Sequence, residues 1–154
     1  MTGRRYTGRC QCGAIRYRIN GEPLLLYACH CRDCQKQSSS AFGMSLWVAR
    51  EDFELLAGEP RIWETRGDSG ALKRCAFCAT CGSRIYHAGE DPGEPLSVKA
   101  GSLDDVSALR PIGHLWSRRA QPWLDLHPES FECADEEAVD FDDWQRRWQA
   151  TRSA

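Results

Sequence analysis

With 154 residues, 42% hydrophobic and 27% charged, the chain has the size and balance of one globular domain able to bury a sizeable core, and a second catalytic domain is not expected within it. A formal net charge of −2 supplies none of the basic excess that usually marks a nucleic-acid or anionic-lipid partner. The longest apolar stretch, Leu24–Ala28, is far short of the roughly 20 residues that cross a bilayer, and Arg4 and Arg5 precede no apolar signal core, so a cytoplasmic protein without membrane or nucleic-acid partners is expected.

Ile15, Tyr17 and Ile19 alternate with Arg16 and Arg18, the period of a strand with one wet face. Phe42, Met44, Leu46 and Val48 repeat that alternation. Strand-like composition recurs at Phe53–Leu56, Arg61–Glu64, Leu72–Phe77, Arg84–His87, Leu96–Ala100 and Ile112–Trp116, separated by turn-rich pieces such as Gly58-Glu59-Pro60. Many short strands at modest spacing predict a mainly β domain. The stretch Gly89–Pro95, with two glycines, two prolines and three acids, reads as a loop. The tail differs: Glu132–Asp143 carries seven acidic residues, and Phe141, Trp144 and Trp148 then recur at helical spacing. An amphipathic helix is expected from about Asp140 to Arg152, its aromatic stripe packed on the domain or on a partner subunit, which leaves a homodimer open. The expected organisation is a β domain over residues 1–131, which carries every cysteine but Cys133, and an acidic, amphipathic tail over residues 132–154.

The nine cysteines fall into Cys10-x-Cys12, Cys29-x-Cys31-x2-Cys34, Cys75-x2-Cys78-x2-Cys81 and an isolated Cys133. An odd count, no secretory segment at the start and two Cys-x-Cys pairs too close for ordinary disulfide geometry speak against an oxidised scaffold. The spacings do not match the common ferredoxin runs, which leaves zinc as the working metal. On a strand, Cys10 and Cys12 would present both sulfurs to one face. Cys78-Ala-Thr-Cys81-Gly82 has the form of a zinc-ribbon knuckle, whose glycine lets backbone approach the sulfur. The two halves together make a closed site of four thiolates. Cys29, Cys31 and Cys34 then form a set of three, the arrangement expected of a catalytic zinc that keeps one position for substrate. Cys75 could complete that second site, replace a knuckle cysteine or be a buried thiol, and the last is favoured because the knuckle spacing already picks Cys78 and Cys81. His30 is expected to be a structural histidine, and Cys133 a free thiol.

These motifs, with Gly101-Ser-Leu-Asp-Asp and His114-x-Trp116, resemble the glutathione-dependent formaldehyde-activating enzymes, a family that also includes centromere protein V. The resemblance covers roughly Gly3 to Leu126. It implies an Mss4-like, zinc-stabilised β fold with two zinc ions, structural at Cys10, Cys12, Cys78 and Cys81 and catalytic at Cys29, Cys31 and Cys34. Shortly after the third of these cysteines the family usually shows a basic residue and a glycine-containing turn. Here Lys36 is basic, but Gln35–Ser40 holds no glycine, so the loop beside the three-cysteine site departs from the pattern.

The resemblance implies a carbon–sulfur lyase or synthase that forms or cleaves S-hydroxymethylglutathione from formaldehyde and glutathione. Glutathione carries two carboxylates, which makes Lys36, Arg118 and Arg119 candidate contacts. The rival readings are a non-enzymatic zinc module that meets a protein or nucleic-acid partner, and the same chemistry on a different thiol.

Overall fold

The computed structural model describes residues 5–127, 132–134 and 139–152, with only the backbone of 132–134. Its elements run β1 (Tyr6–Arg9), β2 (Arg16–Ile19), β3 (Leu25–Cys29), α1 (Arg32–Ser38), β4 (Gly43–Val48), β5 (Phe53–Ala57), β6 (Arg61–Arg66), β7 (Leu72–Phe77), β8 (Arg84–Ala88), β9 (Leu96–Lys99), β10 (Gly113–Leu115), β11 (Glu132–Ala134) and α2 (Phe141–Arg152). The fold is mainly β with a short C-terminal helix. Contacts divide the chain into two compact units, one of Met1–Pro23 with Leu46–Ala108 and one of Leu24–Ser45 with Leu109–Ala154.

In the first unit β1, β2 and β5 form a sheet in which β2 pairs antiparallel with both neighbours. The alternation seen in the sequence is realised: Ile15, Tyr17 and Ile19 are buried. Tyr17 lies opposite Gly8, where an added Cβ would come within 2.3 Å of the phenol ring. Glycine is therefore required to admit the aromatic. The Tyr17 hydroxyl shares a 2.7 Å hydrogen bond with Ser102 Oγ, and burial pushes its pKa above the usual tyrosine range. The strands β6, β7, β8 and β9 follow one another as an antiparallel ribbon. Its centre buries Cys75, Ala76, Ile85, His87 and Val98.

In the second unit β10 lies parallel to β3, with Leu115 opposite Cys29, and parallel to β11, with His114 opposite Cys133. The sequence Leu25-Leu-Tyr-Ala-Cys29 does not alternate; Leu25, Leu26, Ala28 and Cys29 are all buried, as expected of a parallel strand covered on both faces. Helix α2 starts within a residue of its expected position and packs against β3. The Tyr27 and Phe141 rings lie 6.2 Å apart, Trp144 and Trp148 are buried, and Trp148 Nε1 donates to the Arg110 carbonyl at 3.2 Å. The aromatic stripe is thus core, as its spacing indicated. Among the described residues no helix is long and apolar enough to cross a membrane. The Cys133 thiol lies outside the described side chains.

Candidate metal centres

Two groups of cysteines bring their sulfurs within 4.8 Å of one another: Cys10, Cys12, Cys78 and Cys81, and Cys29, Cys31 and Cys34. Cys75 belongs to neither; it is buried in β7 opposite Trp63 and His87. No disulfide links the described cysteines.

The four-sulfur group is built from two turns of the same design. The Cys10 amide donates to the Ile15 carbonyl at 3.1 Å and the Gly13 amide to the Cys10 carbonyl at 3.1 Å; the Cys78 amide donates to Ser83 at 2.9 Å and the Gly82 amide to Cys78 at 2.8 Å. Each turn needs a left-handed residue, supplied by Gly13 at φ +80° and Gly82 at φ +78°. The expectation that Cys10 and Cys12 share a strand face is corrected here. β1 ends at Arg9, and the turn, rather than strand alternation, brings both sulfurs to the group. Ser83 joins the halves, its Oγ accepting from the Gln11 amide at 3.0 Å and lying 3.2 Å from Cys81 Sγ. That hydroxyl, then the backbone amides nearby, pulls the Cys81 thiol down to about 5. The Cys10–Cys12 and Cys12–Cys78 sulfurs are 3.6 and 3.8 Å apart. Tetrahedral ligands about 2.3 Å from a zinc ion lie about 3.8 Å from one another, so the donor set and its spacing fit zinc.

The three-sulfur group draws on two elements. Cys29 ends β3, fixed by pairing with Leu115 of β10. Cys31 caps α1, its sulfur accepting from the Cys34 amide at 3.3 Å, and Cys34 stands one turn on. Hydrogen bonds from the Cys29 and then the Cys34 thiol pull the Cys31 thiol down to about 2, while the same contacts drive Cys29 far up. One sulfur of the trio thus deprotonates first, and a cation is needed to hold all three as thiolates.

Behind the trio lies a polar core that the spacing of cysteines did not announce. His30 is fully buried, tilted against Phe42 at 5.2 Å, and its Nε2 shares a 2.9 Å hydrogen bond with His114 Nδ1. Burial, then the His114 charge, holds His30 down to about 4; burial lowers His114 as well. His30 is therefore the structural histidine expected. Gln35, buried on α1, donates to the His30 carbonyl at 2.7 Å and the Arg119 carbonyl at 3.0 Å. It thereby anchors the Ser117–Arg119 turn beside the cysteines. Lys36, Arg118 and Arg119 are exposed. The loop without glycine closes through Ser39, which takes the left-handed conformation, φ 51° and ψ 39°, at the C-terminus of α1. A serine here adopts the geometry that glycine takes most easily.

A family model described as glutathione-dependent formaldehyde-activating enzyme matches residues 5–119. The chain belongs to this family. The match takes in both cysteine groups of this formaldehyde-activating family member, with Gln35 and His114, and ends before Gln121, Trp123 and α2. Among solved structures, the fold is similar to that of a Rhodobacter sphaeroides protein, with 21% identity over 66% of this chain and 91% of that one and a TM-score of 0.52.

Proposed function

We propose that the chain forms and cleaves the carbon–sulfur bond of an S-hydroxymethyl thiol, joining formaldehyde to a glutathione-like thiol at Cys29, Cys31 and Cys34, with a structural zinc at the other four cysteines. The observation that carries this reading is the contrast between the groups: four sulfurs close one site, whereas the described residues place only three at the other. Three protein ligands are the mark of a reactive metal site and four of a structural one. Zinc held by the three thiolates would supply a position that binds the substrate sulfur and favours its thiolate.

The chain's own residues do the rest. β3 and the cap of α1 hold the three sulfurs at fixed spacing, and the hydrogen bond between the buried His30 and His114 fixes the residue between Cys29 and Cys31. Sulfur attacks the carbonyl carbon of formaldehyde, the carbon–oxygen π pair moves to oxygen, and the thiol proton ends on that oxygen as the hydroxymethyl group; cleavage is the reverse. Lys36, Arg118 and Arg119 offer the cations that the thiol's carboxylates require. A reducing cytoplasm suits this reading, since it keeps the cysteines as thiols and supplies glutathione.

Cys31→Ala tests the reading. The variant keeps its β fold, held by the four-sulfur site, and loses protein-catalysed exchange between free formaldehyde and its glutathione adduct, measured at equilibrium against the uncatalysed rate. A zinc-replete parent that leaves that exchange rate unchanged with glutathione and with other small thiols would favour the non-enzymatic zinc module instead.

A further inference from the structure

The amide of Gln35 uses every hydrogen-bonding position it has. A glutamine amide offers two donors and an oxygen with two lone pairs. Here Nε2 donates to the His30 and Arg119 carbonyls at 2.7 and 3.0 Å, and Oε1 accepts from the Arg32 guanidinium and from Gln121 Nε2, the latter at 3.5 Å. One buried side chain therefore ties the segment between Cys29 and Cys31 to a turn 84 residues further along.

Beyond that turn the connection continues outward. Trp123 is 71% exposed, yet its indole Nε1 donates to Gln121 Oε1 at 2.6 Å. Gln121 thus links the buried Gln35 to an indole held on the surface by its own N–H rather than by packing. The turn itself opens on a strained residue, Trp116 at φ +56°, a left-handed conformation that a non-glycine residue keeps only where surrounding structure enforces it. A large aromatic kept exposed and ordered is the kind of side chain that dominates recognition at a surface.

We propose that Ser117–Trp123 is the recognition arm of the three-cysteine site, that Trp123 meets the peptide portion and Arg118 and Arg119 the carboxylates of an anionic, peptide-like thiol, and that Gln35 is the arm's positioning residue. The proposal rests on the thiol-substrate reading above and adds which part of this chain discriminates among thiols. A small uncharged thiol such as 2-mercaptoethanol would present its sulfur to the cysteines without reaching the arm.

The test compares Gln35→Met, of similar length but unable to bridge the carbonyls, with Trp123→Ala and Trp123→Phe, whose site is exposed and whose folding is not at issue. Zinc content, amide hydrogen exchange over residues 117–123, and formaldehyde-exchange kinetics with glutathione and with 2-mercaptoethanol are measured on each. Gln35→Met should keep the parent's zinc, lose protection over residues 117–123, and raise KM for glutathione about tenfold, the equivalent of one recognition contact, with little change in kcat or with 2-mercaptoethanol. Trp123→Ala should raise the same KM, and Trp123→Phe, which keeps a ring but lacks the N–H that Gln121 holds, should restore only part of it. Equal losses with both thiols, unchanged protection over residues 117–123, or an unaltered glutathione KM in Trp123→Ala would overturn the proposal. A parent inactive with every thiol refutes the functional reading instead, and the exchange protection in Gln35→Met then decides whether Gln35 holds the arm.

Discussion

Replacing Cys12 by serine isolates what the four-sulfur site contributes to stability. Cys12 is exposed, so its loss leaves no core cavity, and the effect reports on the metal link alone. Its sulfur lies 3.8 Å from that of Cys78, 66 residues away. Cross-linking the ends of a loop of that length removes on the order of 4 kcal/mol of chain entropy from the unfolded state. Cys12→Ser should therefore lower the unfolding free energy by about 4 kcal/mol in zinc-replete buffer, equivalent to a fall in Tm of about 8–16 °C for a chain of this size. Denaturant unfolding of parent and variant, each with zinc and after chelation, gives the number. The parent should drop towards the variant on chelation, and the variant should respond less. A zinc-replete variant within about 1 kcal/mol of the parent, or equal responses to chelator, would refute the argument that this site cross-links the fold.

Metal analysis of gently purified protein should approach two equivalents of zinc, and a chelator should remove first the ion held by three sulfurs; a single equivalent under zinc-replete conditions would contradict the second site. Trp148→Ala should cost about 3–5 kcal/mol in a denaturant titration, because it empties a buried position on α2 and removes the hydrogen bond from the indole to the Arg110 carbonyl. His87 is held down to about 2 by burial first and by Lys99, Lys73 and Arg84 after it, so below its ordinary 6.5 the unfolded chain binds a proton that the folded chain does not. Stability present above that pH is lost as pH falls through the window below it. Relative to His87→Leu, the parent should lose about 2 kcal/mol between pH 7 and pH 5, with the metal sites contributing alike to both; parallel pH profiles would show that the imidazole is not buried neutral.

Much was legible along the chain because the responsible interactions are local. Thiols two or three residues apart close on one ion, so Cys29, Cys31 and Cys34 announce themselves as a set. Cys10 and Cys12 could be paired with Cys78 and Cys81 from the knuckle form of the second pair, although they stand on a turn rather than on the strand face expected. Alternation named the buried face of β2, and helical spacing named Trp144 and Trp148. The missed elements lack such signals. β3 is apolar throughout, since a strand covered on both faces has no wet side to alternate with; α1 is Cys34 with six polar residues, capped by a cysteine sulfur, with no apolar stripe to reveal it. Tertiary structure alone decided the surroundings of the three-cysteine site. Gln35 and Gln121 are ordinary polar residues in sequence, and only chain closure over 84 to 86 residues brings carbonyls and amides into register around one buried side chain. A buried amide must find all its partners inside the protein, and those partners are set by where distant segments meet rather than by what stands beside it in the chain.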